Sequence, residues 1–138
     1  MSRTLKTLPY ALATGFVFFG VQKFGAENLV FEIIADRSGI ALFEPHARIA
    51  TGLAELGTAA LLVFPNARAR LLGGLLGLTV LLGAIAFHLS PWLGVVVPGI
   101  GIGLFLTALA LTALTAVFVA LQSRKVFGEP TPAQPRLA

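Results

Sequence analysis

The chain has 138 residues; 57% are hydrophobic, only 12% are charged, and the mean hydropathy is +0.90. A soluble domain is usually about 45–50% apolar and about 25% charged, so much of this chain must face something other than water, and a lipid bilayer is the solvent that fits. The net charge of +4 would suit a nucleic-acid binder, but the basic residues stand at the ends of apolar runs and form no patch with interleaved aromatics, so nucleic acid is excluded as a partner.

There is no cysteine. The chain alone therefore offers no thiol relay, no thiolate-bound zinc and no Cys-ligated iron–sulfur cluster. It carries no nucleotide loop either. The "GIGIG" of Gly99 to Gly103 imitates a dinucleotide fingerprint but follows no strand of a βαβ unit.

A membrane-spanning helix needs about 20 mostly apolar residues. The first such run is residues 5–24, with Pro9 near its start. The basic segment before it resembles a signal peptide, but the apolar run is too long for one and ends at no small-residue cleavage site, so it reads as a retained span. Residues 25–45 form the main polar loop. Within it, "ENLVFEIIADR" (Glu27 to Arg37) has helical spacing: Asn28, Glu32 and Asp36 on one side, Leu29, Val30, Ile33 and Ile34 on the other. That pattern predicts a short amphipathic helix on the membrane surface or capping the bundle.

The second span is predicted over 47–64, stopped by Pro65–Asn66, and the third over 70–89, stopped by Ser90–Pro91. The stretch "PWLGVVVPGIGIG" (Pro91 to Gly103) is apolar but broken by Pro98 and four glycines, and reads as a surface-lying or re-entrant lid. The fourth span starts at about Pro98 or Gly103 and ends at Gln122, covering about 100–122. Residues 1–125 thus form one all-α integral membrane four-helix bundle with a short amphipathic outer-surface helix between the first two spans. The Pro-rich tail 126–138, with Pro130, Pro132 and Pro135, is expected to be disordered.

Lys and Arg set the orientation. With the N-terminus in the cytoplasm, Arg3, Lys6, Arg68, Arg70, Arg124, Lys125 and Arg136 lie inside, and only Lys23, Arg37 and Arg48 lie outside. Both termini are then cytoplasmic in a bacterial-type inner membrane. Gly73 and Gly77 make a GxxxG pattern, read as helix packing within the chain, and Gly15 and Gly20 mark the first helix. Tyr10 and Trp92 read as interfacial anchors at opposite ends.

One carboxylate, Glu55, stands inside a span. A buried charge in a bilayer faces the bundle interior and takes a partner. Three cationic side chains converge on it from separate parts of the chain: Arg48, seven residues earlier and so on the same helical face; Lys23, at the outer end of the first span; and His88, at the outer end of the third. Lys23 and Glu55 either lock two helices together or form the working part of a pocket open to the outer side, with His88 and Arg48 as ligand-binding residues. His46 and His88 both lie towards the outer face. A haem held between them, or a metal held by the two with Glu55, ranks far below these readings, and no metal site is predicted.

Two stretches carry a family resemblance. "GFVFFGVQKF" (Gly15 to Phe24) and "GLAELGTAALLVFP" (Gly52 to Pro65) look like the first- and second-helix signatures of DoxX-type membrane proteins, and "NARARLLGGLLGL" fits the link into the third helix. The resemblance runs from about Leu8 to Leu121 and places Lys23 and Glu55 on the family's polar positions; His88 fits less closely. It implies a four-helix inner-membrane bundle. It also implies a role near thiosulfate:quinone oxidoreduction, oxidative-stress resistance or the maturation of other proteins, and the lack of cysteine departs from thiol-using relatives.

Two functions follow as expectations. One is a non-autonomous membrane subunit of an oxidoreductase that binds a quinone or similar lipophilic compound and no covalent cofactor. There Glu55 would exchange a proton while Lys23 or His88 donates to a carbonyl oxygen, with electrons from a redox partner. The other is a non-enzymatic scaffold or assembly factor whose outer helix docks a client membrane protein. Homo-oligomerisation fits either, and a proton pathway through such a small bundle ranks last.

Overall fold

The computed structural model describes residues 3–128. Among these the chain is all helical: α1 (Arg3–Val21), α2 (Leu29–Ser38), α3 (His46–Val63), α4 (Ala67–Leu89) and α5 (Gly103–Phe127), with single 3₁₀ turns at Gln22–Phe24 and Ala41–Phe43. No strand occurs among the described residues, only an isolated bridge between Val97 and Gly101. Two of the helices, α4 and α5, are long and apolar enough to cross a membrane. The 3₁₀ turn extends α1 to the predicted end of the first run. α5 starts at Gly103, the later of the two expected starts, and it continues through residues 126 and 127 of the expected tail. The prolines at 130, 132 and 135, and Arg136, lie outside the described residues.

Each helix stops where its chemistry requires. Asn66 accepts at its side-chain oxygen from the amides of Arg68 (2.8 Å) and Ala69 (3.3 Å), which caps α4. The carbonyl left over at the end of α3, that of Phe64, accepts from Arg70 Nε at 2.8 Å. α2 opens with a reciprocal capping box. The Asn28 side chain accepts from Phe31 N (3.3 Å), while the Glu32 carboxylate accepts from Asn28 N (3.2 Å). It closes on Gly39 at φ 70°, a left-handed position that suits glycine. The helix therefore begins at Leu29, not Glu27.

The main-chain course packs α1 on α3, α3 on α4 and α4 on α5. Glycines set the close approaches. A Cβ at Gly73 would stand 2.7 Å from Leu61 Cβ and 3.0 Å from Leu62 N; one at Gly74 would meet Val119 at 2.8 Å; one at Gly77 would meet Phe16 at 2.6 Å and Thr58 at 2.8 Å. The GxxxG stripe is thus spent inside the chain, joining α4 to α1, α3 and α5. Around it lies one apolar cluster, with Leu12, Phe16, Leu62 and Phe118 at its centre. Gln122, buried, donates to the Ala67 carbonyl at 3.0 Å and ties α5 to the start of α4.

A second cluster closes the other end. Ile34 of α2 packs on Leu93 and Val97 of the 91–102 segment, with Phe43, Phe87 and Leu104 around them. The predicted lid is therefore an irregular segment folded under α2, with Gly94, Gly99 and Gly101 at positive φ forming its turns. Arg37 donates to the carbonyls of Trp92 (3.4 Å) and Leu93 (3.5 Å), binding the two pieces into one cap. The apolar stripe expected on α2 is rotated: Phe31 and Ile34 are buried, while Leu29 is exposed.

Candidate functional site

Between the two clusters the helices do not close. They line a half-open cavity of about 790 Å³, with Phe16, Leu81 and Leu111 at its floor, all four long helices in its walls, and Phe31, Ile34, Leu93 and Ile100 of the cap partly covering it. Most of its wall is apolar. Lys23, Glu55 and His88 all line it, from α1's end, the middle of α3 and the end of α4.

Lys23 and Glu55 meet because their helices cross on two glycines. Gly20 stands three residues before Lys23, and Gly52 three residues before Glu55, so on each helix the small residue and the charge share a face. A Cβ at Gly20 would come within 3.2 Å of the Glu55 Cβ, and one at Gly52 within 3.0 Å of the Lys23 Cβ. At this crossing Lys23 Nζ donates to Glu55 Oε1 at 3.0 Å and lies 2.7 Å from Oε2. It also donates to the Phe19 carbonyl at 3.2 Å. Two of the ammonium's three N–H groups are thus hydrogen-bonded within the protein. Oε2 is buried and accepts no hydrogen bond; its contact with Nζ is ionic but poorly aligned. Glu55 is only 7% exposed, so the pair sits where a lone charge would be costly.

Arg48 does something else. Heptad spacing put it on the face of Glu55, but its guanidinium turns back towards the start of α3. It grips the Glu44 carboxylate (Nε to Oε1 2.7 Å and to Oε2 2.9 Å) and donates to the Lys23 carbonyl and, at 2.8 Å, to that of Gly25. Arg48 is buried and does not line the cavity. It holds the turn after α1, and so positions Lys23, instead of reaching a ligand. The long, forked side chain satisfies orphan carbonyls at a helix end, a role that face-matching by spacing does not register.

His88 is 3% exposed, and its Nδ1 lies 2.9 Å from the Gly94 carbonyl. A carbonyl only accepts, so Nδ1 carries the proton. The ring lines the cavity and packs beside Phe105. His46 is exposed at the start of α3 and does not line the cavity. Among the described residues no group of three or more His, Cys, Asp or Glu is placed to hold a metal ion. Tyr10 and Trp92 do lie at opposite ends: Tyr10 beside Arg70 (5.8 Å from ring centre to guanidinium), Trp92 in the cap against Phe43 and Phe87.

Sequence reasoning found the Lys23–Glu55 pair and the cavity position of His88. It missed Gly52 as the partner of Gly20, Phe31 as a roof residue, and Arg37 as the cap's latch. The repeated Gly-x-x-charge spacing in "GVQK" and "GLAE" was the available signal for the first. Comparison with protein-family models, curated proteins and solved structures found no match.

Proposed function

We propose that this chain is a DoxX-like inner-membrane protein, a four-span bundle with both termini in the cytoplasm, whose outer-side cavity binds a lipophilic quinone-type ring compound. The observation that carries the reading is the cavity itself: about 790 Å³, largely apolar, with a charged pair and a histidine converging on it.

The surface supports a bilayer setting. Phe18, Val21, Leu53, Val63, Leu72, Leu82, Leu106 and Val117 are all more than 40% exposed, on all four long helices. Large apolar side chains exposed in such number suit a lipid-facing surface. Charge is also sorted: Lys6, Arg68, Arg70, Arg124 and Lys125 flank one end of the helices, while every acidic side chain among the described residues lies in the cap, its loops or the cavity.

In this reading the chain is the membrane subunit of a redox system. Oxidation of the hydroquinone form releases two protons and two electrons: Glu55 takes one proton from a ring hydroxyl, the second leaves to water at the outer side, and both electrons pass to a partner redox protein; reduction reverses these steps. The scaffold alternative would use the polar side of α2, with Glu32 and Asp36, since the apolar side packs on residues 91–102.

The binding test uses purified protein in lipid nanodiscs and a decyl-substituted benzoquinone/hydroquinone mixture. Wild type should retain the compound above empty discs, and the double variant Lys23→Met/Glu55→Leu should not, while remaining folded and melting close to wild type. Equal retention by both would refute the site. The cysteine-free chain also permits a topology test. Leu42→Cys should react with an impermeant maleimide in intact cells, and Ala67→Cys only after permeabilisation.

A further inference from the structure

The rim of the cavity differs from side to side. One corner, where α1 gives way to α2, is polar, with Gln22, Lys23, Glu27 and Asn28. The wall between α3 and α4 is made of small residues. Ala50 and Ala54 stand one turn apart on α3, and Thr79 and Gly83 one turn apart on α4, with Ala84 beside them; all line the cavity. Ala50, Thr79 and Gly83 are at the same time exposed on the outside of the bundle. Residues that line a cavity and also face outwards mark its mouth. A Cβ on Gly83 would have nothing within 4 Å, whereas ten residues earlier, towards the other end of the same helix, one on Gly73 would stand 2.7 Å from Leu61 of α3. The two helices thus part from contact at Gly73 to an open slot at Gly83. The Thr79 hydroxyl donates back to the Leu75 carbonyl at 3.0 Å, which leaves the rim of the slot apolar. At 1.5 Å rise per residue the slot lies about 6–15 Å below the outer ends of α3 and α4, at the depth of lipid chains. The opposite gap, between α1 and α5, is lined by bulkier side chains, Phe19, Leu104 and Leu111.

We infer that the slot between α3 and α4 is a tail subsite: the ligand is a ring compound with a long hydrocarbon chain, whose head lies inside the cavity and whose chain runs out between Ala50, Ala54, Gly83 and Ala84 into the bilayer. This deepens the proposed function and rests on it. The slot and the polar corner give the cavity the two ends of an amphiphile. A chain that passes sideways stays in hydrocarbon, so it is never carried through water and need not be folded up inside the bundle. The cap partly covers the outer side with Phe31, Ile34, Leu93 and Ile100, so the same slot is the route by which the compound enters from the membrane and returns to it. Glycine and alanine are required there because any larger side chain on the facing stripes narrows the gap. Gly83, which packs against nothing in the protein, thereby acquires a role.

The test is photolabelling of the full-length protein in nanodiscs by a decyl-tailed benzoquinone that carries a diazirine halfway along the tail. Labelled residues are mapped by mass spectrometry with and without an excess of the unlabelled decyl compound. Label that the excess displaces should fall on residues 50–54 of α3 and 79–84 of α4. Ala50→Phe/Gly83→Phe, two changes at exposed positions, should weaken retention of the decyl compound by about tenfold or more, because the tail can no longer leave the cavity. If that variant does not fold, the labelling map alone decides. Displaceable label confined to α1 and α5 or to the cap, or unchanged retention by a folded variant, would overturn the tail subsite and leave the proposed function standing. Retention of the decyl compound by wild type without displaceable label on α3 and α4 would overturn it as well. If wild type does not retain the decyl compound at all, the subsite and the proposed function fall together.

Discussion

The two ends of the bundle are built on opposite principles. At the end carrying the α3–α4 turn, glycines bring backbones into contact and side chains fill the space: Gly73, Gly74 and Gly77 leave no room for a methyl group. At the capped end the same four helices splay around a cavity, and a wall glycine such as Gly83 has nothing within 4 Å of where its Cβ would be. The lesson is that glycine in this chain has two jobs. On the closed end it is a packing device; at the Gly20–Gly52 crossing it brings two charges together.

Substitutions should separate these jobs. The largest effect is expected from Lys23→Met, which strands the Glu55 carboxylate in an apolar wall and should cost about 3–5 kcal/mol, read by chemical denaturation in detergent. Adding Glu55→Leu should recover most of it, because removing both charges removes the penalty; a double variant as unstable as the single one would show that the pair is needed for assembly itself. Next comes Gly73→Ala. Its methyl would press on backbone atoms of α3 that cannot yield, so a loss of about 1–3 kcal/mol is expected despite alanine's better helix propensity.

Asn28→Ala should cost about 1 kcal/mol, by removing the cap of α2. Hydrogen exchange should rise in α2 and residues 91–102 but not in α4; uniform loosening would mean that the cap is not a separate unit. The smallest effect, and of opposite sign, belongs to Gly83→Ala. With open space around it, alanine should stabilise α4 by about 0.5–1 kcal/mol. A destabilisation there equal to that of Gly73→Ala would erase the distinction between the two ends.

Much of this architecture was legible in the sequence, and the exceptions have physical causes. Pro65–Asn66 and Ser90–Pro91 announced the ends of α3 and α4 because proline and side-chain caps act locally. Glu55 declared itself because a lone carboxylate in an apolar run demands a partner, and Lys23 was near the right depth. Arg48 misled, since spacing along a helix says which face a residue occupies and not where a long side chain goes; the carbonyls of Lys23 and Gly25 are brought to it only by the fold. The start of α2 was drawn two residues early because the polar Glu27 and Asn28 also fit the helical spacing, whereas the Asn28–Glu32 box makes Asn28 the cap before the first turn. The roof over the cavity was the hardest to foresee. It depends on Ile34 meeting Leu93 and Val97, a contact across some 60 residues of chain with no periodic signal in the 91–102 segment.

The central claim is that the capped cavity holds a lipophilic ring compound, and the most direct measurement asks whether the protein carries one. Protein purified in mild detergent would be extracted with organic solvent and analysed by mass spectrometry, comparing wild type with Ala84→Phe. That substitution fills the cavity from α4 and leaves Lys23, Glu55 and His88 in place. The account predicts a ring compound in near-stoichiometric amount from wild type and its loss from an Ala84→Phe variant that melts normally. The same compound retained equally by both, or nothing specific retained by either, would contradict it.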